Sequence, residues 1–420
     1  MCLVHQKYSG FSMPLLYIIF MENAQSLCNP SDEHRLLREM VRSFVKDEVE
    51  PQAHTFDREE KFNLPLFRKL GQIGLLGVTV EEKYGGSGFD AVAATLVHEE
   101  LASSDPGFTL AYLAHSMLCA NNLQQNASAL QKEKYLPKLC TGEWVGAMAI
   151  SEPGAGTDVL GMESMARKEG NIYRLNGRKM WITNGVLDEG NTPADVVWVY
   201  AKVPSVEGKP RLSTFIVDRS CAGYSVGQKI KDKLGMRASN TAELVFDQCA
   251  IPVENLVGAE GESFSHMMKN LEVERLTLAA ISLGIARRAL QIMNRYAQER
   301  AAFGKSINHF GQIQAYIGTS YAEYRAARAY IYETARGLDL NKSGNRLDSD
   351  GVKLFASKVA KDISDRAIQT LGGYGYVGEY AVERLWRDAK LLEIGGGTSE
   401  AHQKNISADL VKHPGALDSL

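Results

Sequence analysis

Glu274 stands in the stretch NLEVERLTLAAISLGI, residues 270–285. Wound at 100° per residue, Met267, Leu271, Leu278, Ile281 and Ile285 fall on one stripe, and Glu274 falls inside it. Glu272 points roughly 160° away, toward Lys269 and Arg275 on a polar face. Helix glutamates are ordinarily solvated. One held on an apolar stripe is expected to be partly buried, which raises its pKa and suits it to act as a base. Near the C-terminus, EIGGGTSEAHQ (393–403) sets Gly395, Gly396 and Gly397 before Thr398, Ser399 and Glu400. Three adjacent side chains are given up there, directly before a polar helical stretch.

Three further kinds of stretch could touch a ligand. In AISEPGAGTDVLG (149–161), Gly154 and Gly156 permit tight turns and close backbone approach, and Ser151 and Thr157 offer hydroxyls. No Gly-Lys-Ser/Thr follows and no strand–turn–helix unit surrounds it, so it is neither a P-loop nor a Rossmann turn. By itself it reads as an ordinary loop. KMWITNG (179–185) sets Trp181 and Thr183 on one strand face, able to cover a flat heterocycle, although a lone strand tryptophan more often belongs to a core. Arg300, in RAAFGKSI (300–307), can pair with phosphate or simply favour a helix C-terminus. The glycines of QTLGGYGYVGEY (369–380) are, on their own, helix caps.

These residues need elements to position them. From Ser31 the spacing predicts helices over 31–49, 64–77, 90–103, 107–124 and 127–139. The character changes near Trp144. NIYRLNGRKMWITNG reads as two strands joined at Asn176-Gly177, and further β-type segments continue to Ile251. Helices return at 262–300, 310–338, 349–371 and 398–411, with the short connections of a bundle. The chain therefore divides into a leader or disordered segment (1–30), a helical domain (31–144), a compact antiparallel β domain (145–255) and a helical bundle (256–420).

Composition narrows the function classes. Hydrophobic residues are 45% of the 420, enough for several real cores, and the formal net charge of −3 offers no basic surface for nucleic acid. No run of 18 apolar residues occurs, so no transmembrane segment is expected. The cysteines are scattered without a CxxC, which argues against a metal site or a redox pair and for a reducing compartment. PLLYIIF (14–20) is too short to span a bilayer. Residues 1–22 read as a cleaved leader or as sequence upstream of a start at Met13 or Met21.

Taken in order, these blocks resemble the acyl-CoA dehydrogenase family from about Ser31 to the C-terminal region. AISEPGAGTDVLG and QTLGGYGYVGEYAVERLWRD (369–388) look like its two signatures, and KMWITNG, KLGMRASNTAEL and RAAFGKSI follow in the family's order. LAHSMLCANNL, QKEKYLPKL, LEVERLTLA and RDAKLLEIGGGTSE look like the isovaleryl-CoA branch of that family. The resemblance implies an α+β fold: an N-terminal all-helical domain, a middle antiparallel β-barrel and a C-terminal four-helix bundle. It also implies bound FAD and a homotetramer.

Carried over by position, Ile150, Ser151, Trp181 and Thr183 are expected to flank or hydrogen-bond the flavin ring. Arg300, Phe303, Gln369 and Gly373 are expected to hold the diphosphate and adenosine of an FAD shared with a neighbouring subunit. Thr398 and Glu400 fall near the remaining cofactor contacts, and Thr157, Arg275 and Gly395 on the substrate side. Most family members carry a glutamate base immediately before the Gly-Thr of the glycine motif, where this chain has Gly396. Isovaleryl-type and long-chain members are similar in placing the base at the position of Glu274. The glycines are then expected to let that carboxylate reach the substrate Cα and to make room for a branch in the acyl chain, with the Gly396 N–H on the thioester oxygen. The implied reaction is FAD-dependent α,β-dehydrogenation of a short branched-chain acyl-CoA, isovaleryl-CoA to 3-methylcrotonyl-CoA in leucine catabolism. The implied electron acceptor is electron-transferring flavoprotein, and the implied compartment the mitochondrial matrix if the source is eukaryotic. One departure is Gly311, which stands where the family's FGxxIxxFQ pattern has Gln, with Gln312 or Gln314 to compensate. Another short or branched acyl-CoA, or a non-catalytic flavin or acyl-CoA binding protein, remain as alternatives. Glu274 on its stripe argues against the last.

Overall fold

The computed structural model describes residues 26–205 and 208–418. Of the expected leader or disordered segment, residues 1–25 lie outside the described residues, whereas 26–30 are ordered against the helix that follows. Residues 26–29 form a turn in which Cys28 is buried, and Arg38 donates to the Cys28 carbonyl (3.0 Å) and the Asn29 side chain (2.8 Å).

The first part of the chain is helical. Ser31 caps α1 (Asp32–Phe44), whose first turn holds Asp32 and Glu33, as the sequence signals. The helix does not finish at 49. It passes through a π turn, Val45–Val49, into α2 (Glu50–Glu59). Pro51 lacks an N–H and crowds the preceding turn, and the wider π turn just before it keeps the helix continuous. α3 (Leu64–Gln72) stops short of Gly77, because Gly74 turns left-handed (φ 76°) and Leu75 N–H bonds back to Leu70 O (2.9 Å). α4 (Ala91–Ala102), α5 (Pro106–His115), a second π turn (Ser116–Asn121), α6 (Asn122–Asn126) and α7 (Ala129–Thr141) follow. All of α4 and α5 is buried, so they form the floor on which later elements pack.

The middle part is one eight-stranded sheet: β1 (Gly146–Ala149), β2 (Met165–Glu169), β3 (Ile172–Thr183), β4 (Val196–Val203), β5 (Arg211–Asp218), β6 (Tyr224–Lys229), β7 (Thr241–Pro252) and β8 (Leu256–Val257). Its order is β6-β7-β3-β2-β4-β5-β8, with β1 parallel on β4. The expected barrel does not close. β6 and β8 are unpaired edges, and β2 joins β4 at one residue pair, Met165 with Lys202, so the sheet splays there instead of sealing. Nor do Asn176-Gly177 make a hairpin. β3 runs through them unbroken, and the partner strand β7 carries the extra residue, Gln248 (φ 47°), whose N–H donates to Asn176 Oδ1 (2.9 Å). The turn lies earlier, at Gly170-Asn171. β4 is buried on both faces. Val197 and Val199 face the sheet interior with Phe215 and Leu244, while Trp198 and Tyr200 face the helical core.

The C-terminal part packs α8 (Ser263–Glu299), α9 (Gly311–Gly337), α10 (Arg346–Leu371), the short α11 (Gly373–Tyr376), α12 (Val382–Leu392) and α13 (Ser399–Lys412). α12 is a helix beyond the four that the spacing predicts. α8 is long and apolar enough to cross a membrane, but it is the central helix of the fold, and every residue from Glu272 to Ala286 is buried. Helix α4 lies so close that a Cβ on Gly284 would meet the Glu99 carbonyl and Ala102. The middle of α8 is thus enclosed all round rather than striped. Glu272 is a consequence. It does not face a polar surface but is buried, accepting from the N–H groups of Gly344 (3.1 Å) and Asn345 (3.0 Å) at the start of α10.

Candidate active site

The enclosed middle of α8 carries Glu274, 8% exposed. Burial pushes its carboxyl up to about 7, against the opposing pull of Arg275 and Lys353. Gly396, in the loop between α12 and α13, lies directly opposite. A Cβ there would sit 3.5 Å from Glu274 Oε1 and would overlap Leu278 Cδ1, one helical turn further along α8. Gly396 and Gly397 take φ values of 69° and 105°, which L side chains rarely adopt. The loop backbone thus lies close against Glu274, and it is Leu278 that leaves no space for a side chain at 396. The room expected for an acyl branch is not found at that point, because Leu278 fills it. The Gly396 N–H has no acceptor among the described residues, which leaves a free donor beside the carboxylate. Gly395 is tied to the end of α12 through its N–H to Leu391 O (2.8 Å).

Arg275 is buried next to Glu274 and faces Asp350 of α10 (Nη1–Oδ1 2.9 Å). Asp350 also meets His402 Nδ1 of α13 at 2.6 Å. Lys353, one turn beyond Asp350, donates from Nζ to Gly397 O (2.9 Å). Sequence reasoning named none of Asp350, Lys353 and His402. The signal for Asp350 and Lys353 was the periodicity of α10, which turns two charged residues inward where only paired charges are tolerated.

A second group forms at the sheet. Trp181 has φ 66° and is 63% exposed. Between Lys179 and Ile182 the register against β7 shifts, so β3 carries an extra residue there. That bulge turns Trp181 out of the core, where strict alternation would keep it, and Thr183 follows on the same side. The loop holding Ile150 and Ser151 is clamped to this strand. Met180 N–H donates to Ser151 O (2.9 Å), and Lys179 Nζ reaches Ile150 O (3.1 Å) and Glu152 Oε1 (2.7 Å). Glu152 in turn accepts from Ser164 N–H (3.1 Å) and Glu163 N–H (2.6 Å). Lys179 is fully buried, and burial pulls its ammonium down to about 8 against the attraction of Glu152. Lys179 and Glu152 were missed, although alternation sets position 179 inward with Tyr173 and Leu175. Thr157 lies exposed further along the loop.

The third group is at the far end of α8, about 39 Å along the axis from Glu274 at 1.5 Å per residue. Arg300 caps the helix and lines a pocket of about 480 Å³ with Thr370, Gly372, Gly373, Tyr374 and Glu379. Neither Gly372 nor Gly373 has an atom within 4 Å of where a Cβ would stand, so the backbone is open to a ligand. Phe303 stands 95% exposed with φ 50°, Gln369 is exposed at the end of α10, and Gly311 opens α9 in open space. Thr398 is the N-cap of α13, its Oγ1 accepting from Ala401 N–H (3.2 Å), and Glu400 lies exposed in the first turn. The three groups thus offer a buried carboxylate beside a free N–H, an exposed aromatic plane on a clamped strand, and a glycine-lined pocket holding Arg300 and Glu379.

Residues 31–143, 147–249 and 261–411 match the N-terminal, middle and C-terminal domains of acyl-CoA dehydrogenase. The chain is 41% identical over 383 residues to mitochondrial isovaleryl-CoA dehydrogenase of Arabidopsis thaliana, covering 91% of this chain and 92% of that one. Its structure is similar to butyryl-CoA dehydrogenase from Megasphaera elsdenii, with a TM-score of 0.86 and 35% identity over 91% of this chain and 98% of that one. It is also similar to an acyl-CoA dehydrogenase complexed with FAD from Bacillus anthracis, with a TM-score of 0.84 and 32% identity over 93% of this chain and 68% of that one. The chain belongs to the acyl-CoA dehydrogenase family of oxidoreductases.

Proposed function

We propose that this protein carries out the FAD-dependent α,β-dehydrogenation of a short branched-chain acyl-CoA, with isovaleryl-CoA giving 3-methylcrotonyl-CoA. The observation that carries the reading is Glu274, buried and with its carboxyl held near neutrality, facing a glycine whose N–H is free. A thioester α-proton is too weakly acidic for a carboxylate in water. In this site the Gly396 N–H donates to the thioester oxygen and stabilises the negative charge that develops there. Glu274 takes the proton from Cα, and its raised pKa brings it close to the working pH. Bound FAD supplies the acceptor for the hydride leaving Cβ. Arg275 remains on the substrate side, fixed by Asp350.

The residues fit such a cofactor. Trp181 and Thr183 offer one face beside the clamped Ile150–Ser151 loop, and the Arg300 guanidinium with the open backbone of Gly372 and Gly373 offers donors for a diphosphate. The proposed assembly is a homotetramer with the cofactor shared between neighbouring subunits, Phe303 and Gln369 lying on the shared side, and the exposure of Phe303 supports it. Electron-transferring flavoprotein is the proposed electron acceptor, and the mitochondrial matrix the proposed compartment if the source is eukaryotic.

The branched substrate rests on the similarity to isovaleryl-CoA dehydrogenase rather than on free space at Gly396. Similarity to butyryl-CoA dehydrogenase favours a straight short chain as the second reading. Anaerobic mixing of the FAD-loaded protein with isovaleryl-CoA and with butyryl-CoA separates them. Faster flavin bleaching by isovaleryl-CoA is expected; faster bleaching by butyryl-CoA overturns the substrate while keeping the reaction. No bleaching with any acyl-CoA overturns both.

A further inference from the structure

Lys353 is among the most deeply buried lysines in the fold, 1% exposed on the inner face of α10. Its ammonium makes the one side-chain hydrogen bond to the backbone of Gly395–Gly397 among the described residues, 2.9 Å from Nζ to Gly397 O. That loop needs an external anchor. Two successive left-handed glycines give it no side chains, and its remaining ties are Gly395 N–H to Leu391 O and Ser399 N–H to Glu393 O (3.1 Å), at its two ends. The free Gly396 N–H lies between those ends. On the other side of Gly397 the His402 ring blocks movement, since a Cβ there would stand 2.9 Å from its Cε1. Charges around the ammonium come from every neighbouring element. They are Glu274 and Arg275 from α8, Asp350 from its own helix and Glu393 after α12, with His402 of α13 bonded to Asp350.

We propose that Lys353 is a positioning residue for the reaction: it fixes the Gly397 carbonyl, and through it the Gly396 N–H, while holding a positive charge against Glu274. This rests on the proposed role of Glu274 as the base. Burial pulls the Lys353 ammonium down to about 8, and Glu274 is the strongest influence keeping its proton on. Lys353 in return lowers the Glu274 pKa. Without that charge, Glu274 keeps its proton to a higher pH and is a base over a narrower range. The loop also loses its tie, so the N–H donor is no longer preset for the thioester oxygen.

Two substitutions separate the charge from the hydrogen bond. Lys353→Met keeps the apolar stem and removes both, whereas Lys353→Gln keeps an N–H donor without charge. The acid limb of kcat/KM should move to higher pH in both. Activity near pH 6.5 should fall about tenfold for every pH unit that the limb moves, and recover at alkaline pH. Lys353→Gln should retain more of kcat than Lys353→Met at the alkaline plateau. A readout independent of turnover is the infrared band of the protonated carboxyl, assigned by its loss in Glu274→Gln and titrated in each variant. It should persist to higher pH in both Lys353 variants. If Lys353→Met does not fold, Lys353→Gln carries both pH measurements. A limb and an infrared titration that stay at the wild-type position overturn the proposal. Failure of the underlying reading looks different: the wild type would then show no limb and no band that Glu274→Gln removes.

Discussion

Among single residues, the buried carboxyl of Glu274, the proposed base, makes stability depend on pH. Its ordinary pKa is 4.5, and in the fold it is raised to about 7. Between those values the folded protein keeps a proton that the unfolded chain releases, so stability falls as pH rises through that window and stays lowered above it. Glu274→Gln is therefore predicted to raise the Tm of the FAD-saturated protein near pH 8, with no gain below about pH 4.5. Calorimetry at both pH values checks this, and a lowered Tm at the higher pH contradicts it. Gly396 makes a second prediction. Gly396→Ala imposes a left-handed alanine and a methyl on Leu278, so it should cost about 1–2 kcal/mol and slow flavin reduction. Adding Leu278→Ala should cost less than the sum of the two single changes, because the methyl then has space. Glu274 was legible in the sequence because it falls on the stripe of Met267, Leu271, Leu278, Ile281 and Ile285. Glu272 was not, because the loop that covers it, Gly344-Asn345, comes from a helix start about 70 residues away.

At the scale of elements, the Ile150–Ser151 loop owes its position to one buried ion pair. Lys179 and Glu152 are both inside, and removing one partner leaves an uncompensated charge, so Lys179→Met should destabilise the protein by about 3–5 kcal/mol. Paired with Glu152→Gln the loss should shrink, and FAD should be released more readily by either single variant than by wild type. Denaturant titration and cofactor retention on gel filtration measure the two effects. The strand itself shows where a period-2 reading runs out. Helix and strand types were legible along most of the chain, but each bulge changes which side chains point inward without leaving a local mark. Asn176-Gly177 carries the composition of a hairpin turn yet anchors a bulge on the opposite strand. One inserted position put Trp181 at the surface instead of in the core.

At the scale of the whole molecule, the α, β, α order was legible from hydrophobic period alone, whereas its fastening was not. Glu99 and Glu100 of α4 are fully enclosed and meet Arg38 of α1, Arg287 of α8 and Arg328 of α9, with Tyr332 closing the cluster. The N-terminal helices and the C-terminal bundle therefore share one ionic core and should unfold in one transition. Arg287→Met is predicted to lower stability by about 3–5 kcal/mol and to lower the melting of both helical parts together. Two separated calorimetric transitions in the wild type would contradict this. These partners lie far apart in sequence, and single-sequence periodicity carries no information about which buried charges meet.

On the proposed mechanism the base resides on α8 and the glycine loop supplies only backbone. Single-turnover flavin reduction by isovaleryl-CoA in Glu274→Gln, compared with wild type at matched FAD content and saturating acyl-CoA, tests it most directly. Reduction slowed by about 10²–10⁴-fold, with acyl-CoA binding retained, is expected. Retention of most of the wild-type rate would place the base elsewhere.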